Sequence, residues 1–230
     1  MRLLVPVGLV LVVVLVALSG GPVLAQLTTP TDWKWRQNEP APLASGMKMG
    51  PGEWAFVQMP PGWHVTTGPA VLLYPAANGD VAGNYSLESE IFLFPGESAQ
   101  EYGVFLGGHQ IDGTAAPEYS AFVLRRDGQA AVLRRGPGQS ALAATWQRHE
   151  AIVAGKPGDE PVKNVIRVDV EPQLATLWVN GSKVLTVPRG DIRTEGRIGF
   201  SIGKDMNLHI TSLNVTRKLA PVPVKASEKK

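Results

Sequence analysis

The 230-residue chain contains no cysteine. That absence excludes disulfides, thiolate metal sites and the lipid-modified cysteine of a bacterial lipoprotein, so stability has to come from an apolar core. Aromatic residues are sparse at 7%, and charged residues reach only 18%. With 22 Lys and Arg against 20 Asp and Glu, interspersed along the chain, there is no concentrated basic surface of the kind a nucleic-acid partner requires. The chain has only four histidines, His64, His109, His149 and His209, and none stands at a helical zinc spacing. No Ser/His/Asp order and no Gly-rich phosphate loop in strand–helix context is present. Leu3–Leu18 is apolar and uncharged; an uncleaved membrane anchor is the competing reading of it, but it is short against the ~20 residues that a span needs.

What that run does fit is an export signal. Arg2 supplies the positive start, Gly20-Gly21-Pro22 breaks the apolar stretch, and Val23-Leu24-Ala25 precedes Gln26. Residues 1–25 are expected to be a signal peptide cleaved after Ala25, giving a secreted or periplasmic protein with no membrane span in its mature chain. A cysteine-free exported chain is more bacterial than animal in character. Residues 26–53, rich in Pro, Thr and Gly, read as an irregular lead-in. Residues 54–217 are expected to form one domain, and residues 218–230 (the stretch ends LAPVPVKASEKK) a disordered Pro/Lys tail.

Within that domain the apolar runs are short and punctuated. Trp54–Val57 and Ala70–Tyr74 read as opening strands, with Trp63 near the second. Tyr85–Phe94 alternates, with Tyr85, Leu87, Ser89, Ile91 and Leu93 on one face and Ser86, Glu88, Glu90 and Phe92 on the other. Tyr102–Gly108 is a strand whose glycines mark a bulge or a close backbone approach. Two hairpins carry type I′ signals. One turns at Asp127-Gly128 and implies the pairs Arg126–Gln129, Leu124–Ala131 and Phe122–Leu133. The other turns at Asn180-Gly181 and implies Val179–Ser182, Trp178–Lys183, Leu177–Val184 and Thr176–Leu185. Both faces of this second hairpin are largely apolar, which predicts a place inside a two-layer structure. Near Thr211-Ser212 the alternation of the last strand changes phase, which predicts a one-residue bulge. Many short strands with regular turn signals mean an all-β sandwich or barrel.

In this order YSLESEIFL, YGVFLGG, YSAFVLRRDGQAAVLRR, NVIRVDVEPQLATLWVNGSKVLTV, GRIGFSIG and LHITSLNVT resemble the concanavalin A-like lectin/glucanase superfamily. The resemblance is nearest to its laminin-G-like and three-keto-disaccharide hydrolase-type domains in exported bacterial proteins. It covers about Trp54–Arg217 and rests most on the Asn180-Gly181 hairpin, the Gly196–Gly199 strand entry and Leu213-Asn214-Val215. It implies an all-β jelly-roll sandwich of two curved antiparallel sheets. Ala141–Val153 fits a short helix or a loop and strand, and the family pattern favours strand over Arg148–Val153.

The fold hosts many functions, so site residues have to be argued singly. Glu88 and Glu90 resemble the acidic strand of laminarinase-type glycosidases, but Ile91 and Phe92 stand where that pattern continues with a further acid. A solvated strand face explains them better, and no catalytic role is transferred. Aromatics offer the better handle on sugar, because a flat apolar ring stacks on a pyranose while polar neighbours meet its hydroxyls. Trp178, beside Lys183, leads; Trp63 and Trp146 follow; burial in the core is the competing role for all three. His109 near Asp112 suits a ligand or calcium rim, against the plainer reading of both as turn residues. Calcium is the one cofactor the pattern leaves open, and no metal site is assigned. Arg125, Arg126, Arg134 and Arg135 split across both faces of their hairpin and read as solvated strand ends. The expectation is a non-catalytic carbohydrate-binding module. A glycoside hydrolase-type enzyme and a structural or protein-interaction module of the cell envelope are the alternatives.

Overall fold

The computed structural model describes residues 28–38 and 54–218; the expected signal peptide, most of the lead-in and the tail from Leu219 lie outside them. The strands are β1 (Trp33–Gln37), β2 (Ala55–Gln58), β3 (Trp63–Thr66), β4 (Val71–Pro75), β5 (Asp80–Val81), β6 (Tyr85–Leu93), β7 (Glu101–His109) and β8 (Glu118–Arg125). They continue with β9 (Gln129–Gly136), β10 (Gln139–Arg148), β11 (Val162–Val170), β12 (Leu174–Val179), β13 (Ser182–Pro188), β14 (Gly196–Ile202), β15 (Asn207–Ile210) and β16 (Asn214–Arg217). A single 3₁₀ turn, Arg189–Asp191, joins β13 to β14. No helix among the described residues is long and apolar enough to cross a membrane.

The strands form two antiparallel eight-stranded sheets. Sheet I runs β1-β4-β14-β7-β8-β9-β10, with β5 also on β14; sheet II runs β13-β12-β11-β6-β15-β3-β2, with β16 also on β6. In sheet II, β6 and β11 alternate between buried and half-exposed residues, the pattern of a sheet with one dry face and one wet face. Tyr85, Leu87, Ile91, Ile166, Val168 and Leu177 point inward to meet Val71, Leu73, Tyr102, Val104, Phe122 and Phe200 of sheet I in one core. Sheet I differs, because β7 and β8 are buried almost end to end. Its second face carries another apolar cluster of Leu72, Tyr74, Phe105, Tyr119, Ala121, Val123, Ala131 and Leu133, bordered by Trp146.

Turn chemistry sets much of the register. At Asn180 and Gly181 φ is +51° and +81°, as a type I′ turn requires. Val179 faces Ser182 and Trp178 faces Lys183, as the two-residue loop predicts. A bulge at Val184 then shifts the ladder, so Leu177 faces Leu185 and Thr176 faces Thr186. Leu185 and Val187 thereby join Ala175 and Leu177 on the core face rather than lying with Trp178. The hairpin also lies at a margin of the sandwich, since β13 is the edge of sheet II.

At Asp127-Gly128 the loop has three residues. Gly128, at φ +84°, donates its N–H to Arg125 O at 3.1 Å, and the pairs become Leu124–Ala130, Phe122–Val132 and Tyr119–Arg135. This is a type I turn with a glycine bulge, and it moves every predicted pair by one residue. The bulge expected near Thr211 is present: Ile210 faces Ile91 while Asn214 faces Glu88, one residue more on the later strand than on β6. Ser89 fills the gap with a 2.8 Å bond to Ser212 O.

Two segments differ from expectation. Trp33–Gln37, inside the lead-in, pairs with β4 as the edge of sheet I, burying Arg36 and packing Trp33 and Trp35 on the core. Gln139–Arg148 is the strand, while Arg148–Val153 turns away after it.

Candidate functional site

Alternation along β6 leaves Ser86, Glu88, Glu90 and Phe92 on the outer face of sheet II, and β11 adds Lys163, Val165, Arg167 and Asp169. Cross-strand pairing then lines up one residue from each of five neighbouring strands: Lys183, Trp178, Arg167, Glu88 and Asn214. At a strand spacing of about 4.8 Å the row is roughly 19 Å long. Trp178, Lys183 and Glu88 thus meet on one face, with Glu90 next to them along β6.

The chemistry of the row is mixed. The Arg167 guanidinium carbon lies 4.8 Å from the centroid of the Trp178 indole, and its Nη2 is 3.5 Å from Asp169. Stacking of this kind contributes about 0.5–1 kcal/mol at a partly exposed position. It holds the half-buried indole against Arg167, and Trp178 Nε1 and Arg167 Nε are buried without partners among the described residues. Glu90 accepts from Lys163 at 3.0 Å and from Thr211 at 3.4 Å. Ser86 donates to Asp169 at 2.6 Å. An apolar ring flanked by guanidinium, carboxylate and amide groups in line matches the alternation of C–H faces and hydroxyls on a sugar.

At the far end of this face His64 and His209 are directly paired across β3 and β15, ring centroids 6.4 Å apart, beside Phe92 and Phe94. Burial, reinforced by the neighbouring His209, holds the His64 pKa below its ordinary value.

The other residues singled out by sequence lie elsewhere. Trp63 packs against the core, 4.7 Å from Trp33 between ring centroids, with its indole N–H buried. Trp146 lies on the second face of sheet I beneath Arg125, whose guanidinium is 3.7 Å from the ring. His109 is exposed at the end of β7, its Nε2 3.1 Å from Glu195 O, at a cleft of about 560 Å³ shared with Gln173, Arg189 and Arg193. Asp112 bonds Lys34 at 2.9 Å and Arg197 at 3.4 Å. The hydrogen bond from Lys34 holds its carboxyl below the usual range, against a partial desolvation. Two cations thus lie against that carboxylate, and no group of three metal-ligating side chains gathers among the described residues.

Sequence reasoning missed Arg167 and Asn214. The alternation of Val162–Val170 carried a signal for Arg167, but the pairing of β11 with β6, which brings it beside Glu88, joins segments far apart in the chain.

No protein-family model and no curated protein sequence matches the chain. Its structure does match solved ones. The carbohydrate binding module CBM66 from Bacillus subtilis superposes with a TM-score of 0.58 at 11% identity, over 81% of this chain and 96% of that one. A protein of unknown function with a galectin-like fold, also from Bacillus subtilis, gives 0.53 at 11% identity, over 80% and 88%. A cysteine variant of alginate lyase A1-II′ gives 0.51 at 15% identity, over 81% and 95%. At such identities the likeness concerns fold alone: two antiparallel sheets in a concanavalin A-like jelly-roll sandwich.

Proposed function

We propose that the chain is an exported, non-catalytic carbohydrate-binding module whose ligand lies along the Lys183–Trp178–Arg167–Glu88–Asn214 row. The observation that carries this reading is the row itself, an indole beside a guanidinium with hydrogen-bonding groups on either side across five strands. Its length of roughly 19 Å suits a short oligosaccharide rather than a single sugar. Support also comes from the fold match whose own name is a carbohydrate binding module. Export rests on the signal-like residues 1–25.

A glycan-array screen of the purified chain tests the proposal. Saturable binding that is lost in a folded Trp178→Ala variant but kept in Glu88→Gln/Glu90→Gln, with no sugar released, is the expected result. A glycoside-processing enzyme is the second reading, favoured by Glu88 and Glu90 sharing one strand face and by a lyase among the fold matches. Sugar release abolished by the two glutamine substitutions would establish it and overturn the first. Absence of binding to any glycan would point to the structural or protein-interaction module.

A further inference from the structure

At the β8–β9 turn the sandwich carries a cleft of about 310 Å³ whose lining includes the consecutive arginines Arg125 and Arg126. Arg126 is only 9% exposed. Its Nη2 donates to Phe94 O at 2.9 Å and its Nε to Ser98 O at 3.4 Å, which leaves Nη1 without a protein acceptor among the described residues. Gly155 leaves room for that nitrogen: a Cβ there would sit 3.3 Å from it. Arg125 lies flat on Trp146 at 3.7 Å, with its Nε buried and unpartnered. Neither guanidinium forms an ion pair among the described residues. Two acids line the same cleft: Glu97, exposed at its rim, and Asp127, which accepts a hydrogen bond from Gln129.

A guanidinium withdrawn from water without a carboxylate partner is costly, and the cost is relieved by a counter-ion. Planar guanidinium forks match the geometry of a carboxylate, sulfate or phosphate. We propose that this cleft is an oxyanion-binding site in which Arg126 supplies the buried charge and Arg125, oriented by Trp146, supplies the second donor. Glu97 sets the affinity from the rim by repulsion. The site is separate from the Trp178 row and stands whether or not that row binds sugar. The oxyanion arrives either free in solution or as the carboxylate of a uronic acid on a glycan.

Titration calorimetry at fixed ionic strength tests the site with three probes: sodium sulfate, inorganic phosphate, and a glucuronate-terminated oligosaccharide beside its neutral twin. Saturable binding of at least one probe is expected, weakened about tenfold or more by Arg126→Gln and by Arg125→Gln, as loss of a charge-assisted hydrogen bond implies. Glu97→Gln should tighten binding about threefold or more, by removing a like charge. Preference for the glucuronate chain over its neutral twin and over the free ions assigns the site to a glycan; equal binding of sulfate or phosphate assigns it to a free ion. Should Arg126→Gln fail to fold, Arg125→Gln and Glu97→Gln decide the matter in opposite directions. No saturable binding, or binding indifferent to Arg125 and Glu97, overturns the proposal.

Discussion

Replacing Asn164 by alanine should destabilise the fold by about 3–4 kcal/mol. Asn164 is fully buried on β11 and ties three segments together. Its Nδ2 donates to Tyr102 OH at 3.2 Å and to Val153 O at 3.0 Å, while its Oδ1 accepts from Val153 N–H at 2.9 Å and from Asn180 Nδ2 at 2.9 Å. Asn180 in turn accepts from Val165 N–H at 2.8 Å and donates to Ala151 O at 2.8 Å, so the amide also anchors the hairpin that carries Trp178. Burial pushes the Tyr102 hydroxyl up to about 12, so it stays neutral and keeps its need for a partner inside the core. Losing the bonds to Tyr102 and Val153 costs about 1 kcal/mol each and leaves groups unsatisfied, whereas exposed Asn180 recovers a water. Against a total stability of about 5–15 kcal/mol this is a large fraction. Urea unfolding followed by tryptophan fluorescence should show a lower midpoint with an unchanged slope. Asn180→Gly keeps the positive φ and should cost less, about 1–2 kcal/mol. The double mutant should fall short of additivity, because the two amides bond directly. A loss below about 1 kcal/mol for Asn164→Ala, or full additivity, would refute the role given to this amide.

Two further outcomes follow from the same physics. His64 binds a proton less readily in the folded chain than in the unfolded one, because burial and then His209 oppose its charge. Its contribution is therefore fully present above about pH 6.5 and declines as pH falls from that value toward the lower folded pKa. The NMR titration midpoint of His64 should lie below 6.5, and His64→Gln should flatten the pH dependence of stability between pH 7.5 and 5; a midpoint at or above 6.5 contradicts this. At Gly199, between β4 and β14's other neighbour β7, an added Cβ would press on the Leu73 carbonyl and lie 2.7 Å from the Phe105 ring. Gly199→Ala should destabilise by on the order of 3 kcal/mol in thermal unfolding, and wild-type stability would show that sheet I can spread there.

The parts of this structure legible in the sequence are those governed by neighbours along the chain. Alternation in Tyr85–Leu93 assigns its two faces, Asn180-Gly181 assigns a turn and its first two pairs, and the phase change at Thr211 announces a bulge. Where two local solutions are close in energy, the sequence reading chose the wrong one. Asp127-Gly128 suits both a two-residue and a three-residue loop, and within Ala141–Val153 the expected strand is Arg148–Val153, whereas the free edge of β9 takes up Gln139–Arg148.

The amino-acid sequence by itself therefore determined the class of fold, the punctuation into short strands and which face of most strands is apolar, because these depend on period-two alternation and on backbone preferences at Gly, Asn and Pro. Only the tertiary structure decided that β7 and β8 of sheet I are buried on both faces, and β6 and β11 of sheet II on one. It alone set Arg167 beside Trp178 and Glu88, and left Arg126 buried without an ion-pair partner among the described residues. Each of these depends on pairing between segments distant in the chain, where register is set by packing over the whole sandwich and a one-residue shift exchanges the two faces of a strand.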